Sequence, residues 1–220
     1  MLPKQLPPQL FIFGILLIAI IIVIQIEIFS LVLSRLGLSP SSASMLLVTT
    51  LFGSTLNLPL ASITSTYNYS DKRPLRHLFF SRQFIDGRTL ITINVGGGLI
   101  PILFSSYLIF TSGISIGIVT LAVCLISIIS YLFSRPIANI GIGMPLFIAP
   151  FSAAFTAMAL SQENTPALAY ICGSLGVVIG ADLMRIKDIR LLNTPMASIG
   201  GAGTFDGIFM TGIIAVLLTY

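Results

Sequence analysis

Seven apolar runs, separated by short polar or proline-containing turns, make up most of this sequence: residues 10–33, 44–63, 89–110, 114–133, 140–160, 166–184 and 196–219. Each is close to the ~20 residues that an α-helix needs to cross a bilayer. In hydrocarbon every backbone polar group must be satisfied within the structure, which favours helices. The turns between runs carry breakers: Leu38-Ser39-Pro40, Thr111-Ser112-Gly113, Arg135-Pro136 and Gln162-Glu163-Asn164-Thr165. Only 8% of residues are charged and 55% are hydrophobic, whereas a soluble domain carries about 25% charged residues. So few charges cannot cover a soluble surface of this size. A cytosolic enzyme, a disordered chain and a nucleic-acid-binding domain are excluded. The expectation is all-α: one polytopic transmembrane domain over residues 1–220, with about seven transmembrane helices and the lipid bilayer as its main partner.

The first run follows Lys4 and is far longer than the roughly 7–15 residues of a signal-peptide core. It reads as a retained helix that also serves as the insertion signal. Orientation comes from the eleven Lys and Arg residues. With seven spans, one side holds Lys4, Lys72, Arg73, Arg76, Arg82, Arg88, Arg135, Arg185, Lys187 and Arg190, and the other holds Arg35 alone. The positive-inside rule then places the N-terminus in the cytoplasm and the C-terminus outside a plasma (inner) membrane.

Residues 64–88 are longer than a connector requires. Asp86-Gly87 is a favoured hairpin turn with β-prone flanks, so a short cytoplasmic hairpin is one reading. A basic loop lying on anionic headgroups is the other. His77 has no second ligand-type residue at metal spacing. Cys124 and Cys172 lie inside apolar runs and read as packing residues. The glycine-rich stretches lack a following Lys-Ser or Lys-Thr, so no phosphate-binding loop is expected. No cofactor and no metal are called for.

An ionisable side chain at membrane depth is expensive and invites a reason. Three acids fall inside the runs: Glu27, Asp182 and Asp206. Glu27 is about six residues, some 9 Å, from the external end of its helix and can snorkel outward. Asp182 ends the sixth run near the cytoplasmic face, where an ion pair with Arg185 is the plain explanation. Asp206 lies about ten residues, roughly 15 Å, into the seventh run, near the midplane. Its flanking Gly203 and Gly207 let another helix approach. Asn57 and Asn94 lie at similar depth, beside Pro59 and the glycines 96–98 that weaken regular helix. The four residues Asn57, Asn94, Asp182 and Asp206 are expected to share one polar pocket open to the cytoplasm.

The strings Asn57-Leu58-Pro59-Leu60, Asn94-Val95-Gly96-Gly97, Gly180-Ala181-Asp182-Leu183 and Gly201-Ala202-Gly203-Thr204-Phe205-Asp206-Gly207-Ile208-Phe209 resemble a prokaryotic family of polytopic membrane proteins of unknown function. A second resemblance, to presenilin-like and prepilin-peptidase-like intramembrane aspartyl proteases, rests on two aspartates in consecutive helices of opposite direction. Gly203 matches the first glycine of their Gly-x-Gly-Asp motif. Phe205 stands where the second glycine would be, and Ala181 where presenilins have tyrosine. That resemblance implies Asp182 and Asp206 as a catalytic pair.

Three functions are compatible with these residues. The first is a proton- or cation-coupled transporter or channel for a small solute, with Asp206, Asn57, Asn94 and Asp182 binding the ion or substrate. The second is an intramembrane hydrolase in which Asp182 and Asp206 share a proton, one activating a water that attacks a transmembrane peptide while the other polarises its carbonyl. The third is a non-catalytic membrane scaffold, as a monomer or an oligomer.

Overall fold

The computed structural model describes residues 8–65, 87–138, 140–201 and 207–219. The chain falls into two compact units, Met1–Leu47 and Val48–Tyr220.

The first unit contains helix α1 (Pro8–Arg35) and the beginning of helix α2 (Pro40–Gly53). The stop between them is written in the sequence. Gly37 takes φ +83, which L side chains rarely adopt. This lets Leu38 N–H reach the Leu33 carbonyl (3.2 Å) and Gly37 N–H reach Ser34 (3.1 Å). These two bonds form a Schellman cap that satisfies the last carbonyls of α1. Two residues on, the Ser39 hydroxyl accepts Ser42 N–H (3.3 Å) and Pro40 opens α2, the order of residues that starts a helix.

The second unit is a helical bundle with a small sheet at one end. After α2 come strands β1 (Asn57–Thr64) and β2 (Arg88–Asn94), then a π-helical turn (Val95–Leu99), α3 (Ile100–Thr111) and α4 (Ile116–Phe133). A small hairpin follows, β3 (Arg135–Ile137) and β4 (Gly141–Gly143), then α5 (Ile148–Leu160) and α6 (Thr165–Val177). Helix α6 continues as a π-helical segment (Val178–Leu183). A single 3-10 turn (Asp188–Leu191), strand β5 (Met196–Ile199) and α7 (Gly207–Leu218) complete it.

Helix α6 is the core of the bundle. Leu168, Ala169, Tyr170, Ile171, Cys172 and Ser174 are completely buried, and α3, α4, α5 and α7 pack around it. Small residues permit this. Gly173 lies against Ala153 and Thr211, and Gly176 and Gly180 lie against Ile126 and Ser127 of α4. Association inside a membrane depends on such close packing, because lipid supplies no hydrophobic drive between helices.

The sheet has the order β1-β2-β5. β1 pairs antiparallel with β2, and β2 pairs parallel with β5 with Leu90 opposite Met196. The parallel pairing starts α3 and α7 at the same end of the bundle. Pro59 sits on the edge strand β1, where its missing N–H costs least, and the register shifts between Pro59 and Ala61.

The chain is thus mostly helical rather than all-α, and five short strands correct the sequence expectation. The second predicted run stops being helical at Gly53, and its remainder supplies β1. The third begins as β2, a central strand paired with β1 on one side and β5 on the other, in which Thr89, Ile91, Thr92 and Asn94 are buried. The fifth and seventh begin with β4 and β5. Apolar length alone does not separate a buried strand followed by a helix from one long helix. The wide hairpin β1–β2 flanks the stretch where a tight hairpin was expected, while 66–86, with Asp86 and His77, lie outside the described residues. By length and composition, Ile116–Phe133 and Thr165–Leu183 are candidate membrane spans. The pair Val23–Arg35 and Pro40–Gly53, bent by 119°, makes a third if it counts as one span. Val95–Thr111, Ile148–Leu160 and Gly207–Leu218 are apolar but shorter.

Candidate functional site

The sheet end of the bundle gathers most of the polar side chains picked out from the sequence. Asn57 and Asn94 face each other as the first pair of the β1–β2 register. Asn94 is fully buried. Its amide nitrogen donates to the Ser54 carbonyl (2.7 Å) and to Asn57 Oδ1 (3.3 Å), and its Oδ1 accepts Gly97 N–H (2.7 Å). Asn94 therefore ties the end of α2, the sheet and the π-helical turn together. Its replacement by alanine would strand a buried carbonyl and a buried N–H, with an expected cost of about 2–4 kcal/mol. Asn94→Asp keeps the acceptor for Gly97 but loses both donors, and should lower the thermal midpoint in detergent comparably. Wild-type midpoints for both variants would disprove this role.

Asn57 links that cluster to a cavity. Its Oδ1 accepts from the Ser198 hydroxyl (2.7 Å), and Ser198 lines a cavity of about 240 Å³. The β3–β4 turn, the residues around the 3-10 turn, strand β5 and Asp182 form the rest of its wall. Asp182 stands on the π-helical extension of α6, and its Oδ2 accepts Gly200 N–H at 3.4 Å. Gly200 takes φ +78, and a Cβ there would run into Gly97 and Gly98. Only glycine lets the turn after β5 nest on the turn after β2 and present its N–H to Asp182.

The expected ion pair between Asp182 and Arg185 is corrected. Arg185 bridges to Asp188 instead (2.9 Å). Its guanidinium also donates to the carbonyls of Tyr131 (2.8 Å) and Ser134 (2.7 Å) and to the Ser134 hydroxyl (3.2 Å). The group lies 4.3 Å over the Tyr131 ring. A cation at the C-terminus of α4 satisfies carbonyls that the helix leaves open and complements its dipole. Asp206 belongs to 202–206, outside the described residues, as does its pairing with Asp182. Glu27 is exposed on α1. Cys124 is exposed and Cys172 is buried, its thiol 3.7 Å from the Ala153 and Ala169 carbonyls. No group of three His, Cys, Asp or Glu able to hold a metal occurs among the described residues.

Sequence reading missed Ser198 and Ser134. Ser198 is the one polar residue of Met-Ala-Ser-Ile just before a Gly-Gly turn, a position that marks a strand end. Ser134 gave no signal, because its partner Arg185 is 51 residues away.

The sequence model described as "Protein of unknown function (DUF1614)" matches residues 51–218. The chain belongs to the DUF1614 family. The DUF1614 match begins in the last turn of α2 and ends with α7, so it takes in the sheet, the bundle and the cavity and leaves α1 outside. No curated protein and no solved structure matches this DUF1614 chain.

Proposed function

We propose that this protein is a multi-pass membrane transporter or channel that binds a proton, cation or small solute at the Asp182 cavity, with Asp206 as the coupling carboxylate. The observation that carries the reading is a carboxylate on the wall of a cavity built where regular helix gives way. The π-helical end of α6 and the turn after β5 meet on its wall, and the turn after β2 packs against Gly200. Helix interruptions and intramembrane acids are the elements from which ion-coupled sites are made. Asn94 braces this site, and Asn57 orients Ser198 at its edge. With seven spans, the distribution of basic residues supports a cytoplasmic location for this end and an external C-terminus in the plasma membrane. Reporter fusions at the two termini test that orientation.

Proteoliposome flux tests the function. Flux of protons or monovalent cations is expected to fall at least about tenfold, equal to 1.4 kcal/mol, in Asp182→Asn and in Asp206→Asn. Wild-type flux in both folded variants would overturn the transport reading.

One observation favours a second reading. Gly200, the hydrogen-bond partner of Asp182, precedes Asp206 by only six residues. An intramembrane aspartyl hydrolase would use Asp182 and Asp206 as a proton-sharing pair. It requires cleavage of a transmembrane peptide that stops in either Asp→Asn variant.

A further inference from the structure

We propose that the corner of the bundle where α4 and α6 end binds the phosphate of an anionic phospholipid. The inference concerns a surface apart from the cavity and holds whether that cavity serves transport or hydrolysis. Among the described residues, Ile116–Phe133 and Thr165–Leu183 are the two single helices long and apolar enough to cross a membrane. Basic residues follow directly on each: Arg135 after the first, and Arg185, Lys187 and Arg190 after the second. The fold joins these two ends. Arg185 donates to the carbonyl of Ser134 (2.7 Å), the residue before Arg135, and strand β3 packs on the 3-10 turn. Cations from two separate stretches of chain therefore share one corner.

Arg185 is committed to Asp188 and to the carbonyls that α4 leaves open, so the negative end of that helix dipole is covered. Arg135, Lys187 and Arg190 are exposed. Asp188 is the one acidic residue in 131–147 and 183–193, and Arg185 takes it. Asp182, just before the second stretch, accepts Gly200 N–H at the cavity instead. Among the described residues no carboxylate is ion-paired with Arg135 or Lys187. The corner thus carries an excess of positive charge. Its surroundings say which anion it suits. Leu132, Phe133, Leu183 and Met184, in the last turns before the cations, are exposed, as are Ile137 on β3 and Leu191 in the 3-10 turn. Apolar side chains at the end of a membrane-length helix suit acyl chains, and cations just beyond them stand at headgroup depth. Arg135 and Lys187 are the phosphate ligands, a planar fork and a point charge. A soluble anion would use the charges and leave the apolar rim in water.

The test is native mass spectrometry of the full chain in detergent. It compares phosphatidylglycerol, phosphatidylcholine with the same acyl chains, and glycerol 3-phosphate, which has the phosphate without the chains. A basic residue beside an anionic headgroup is worth about fivefold in binding. The first phosphatidylglycerol is therefore expected to bind at least about tenfold more tightly than phosphatidylcholine, and glycerol 3-phosphate at least about tenfold more weakly than phosphatidylglycerol. Replacing both ligands, Arg135→Ala with Lys187→Ala, should bring the two lipids to equal affinity. Arg88→Ala removes an exposed cation from the start of β2 and should leave the preference within about twofold. Equal affinity for the two lipids in the wild type overturns the proposal, and needs no variant to fold. Glycerol 3-phosphate bound as tightly as phosphatidylglycerol overturns it in favour of a soluble anion. Displacement of phosphatidylglycerol by polyglutamate at equal concentration overturns it in favour of an acidic protein segment. A loss in Arg88→Ala equal to that of the double variant shows diffuse attraction and overturns the local site.

Discussion

Gly180→Leu is expected to abolish folded, monodisperse protein. A Cβ at position 180 would meet the backbone carbonyl of Ser127 on α4 well inside van der Waals contact. That neighbour is backbone, not the end of a flexible side chain, so α4 and the π-helical extension of α6 would have to separate. Overpacking a core usually costs about 1–3 kcal/mol; here the whole helix contact is lost, so the cost lies at or above the top of that range. Gly180→Ala should be intermediate. Gly117→Ala is the control, since its added methyl finds only the Ser115 hydroxyl at 3.8 Å. That variant should stay within about 0.5 kcal/mol of wild type. Thermal midpoints in detergent and elution profiles measure the series. A Gly180→Leu protein with the wild-type midpoint would refute the close approach of the two helices. Because Asp182 lies two residues on, Gly180→Ala should also displace the carboxylate and weaken any ligand bound beside it.

Arg185→Ala is the second large effect. It would strip donors from the carbonyls of Tyr131 and Ser134 and leave Asp188 without its cation. Hydrogen bonds to a charged group are each worth about 1.5–3 kcal/mol. The side chain is only 18% exposed, so water recovers part of the loss, and about 2–4 kcal/mol is the expected cost. Arg185→Lys should recover less than half, because an ammonium cannot hold carbonyls, hydroxyl and carboxylate in one planar fork. Asp188→Asn should cost under about 1 kcal/mol, the range of exposed ion pairs. The order of thermal midpoints is then Asp188→Asn above Arg185→Lys above Arg185→Ala. An Asp188→Asn loss equal to that of Arg185→Ala would show that the ion pair, and not the helix cap, carries the stability.

A helix within each apolar run was legible in the residues themselves, as was the break between α1 and α2. Gly37, Ser39 and Pro40 spell a stop and a start, and the cap bonds form as those residue types require. That Asn57, Asn94 and Asp182 would need polar partners was legible too, since polar groups in apolar runs require them. Their partners were not. Ser54, Ser198 and Gly200 reach them across the fold, and a hydrogen bond leaves no trace in one sequence when its two ends are 40, 141 or 18 residues apart. The strands were hidden for a different reason. Thr89-Leu90-Ile91-Thr92-Ile93 is apolar enough to read as membrane helix, and only pairing with β1 and β5 distinguishes it.

The bulk composition by itself pointed to a membrane protein, because 8% charge cannot clothe a soluble domain of this size, and the apolar helices of the fold are compatible with that reading. The basic residues, ten of them on one side of the predicted spans, supplied an orientation to test. Tertiary structure decided which carboxylate meets which cation. Sequence spacing favoured Asp182 with Arg185, three residues apart on one helical face. The fold sends Arg185 to the open carbonyls at the end of α4 and to Asp188, and leaves Asp182 beside Gly200 on a cavity wall. The physical reason is competition for donors. A guanidinium brought against several unsatisfied carbonyls gains more there than from a single nearby carboxylate, and only the packing of α4 on the end of α6 brings those carbonyls within reach.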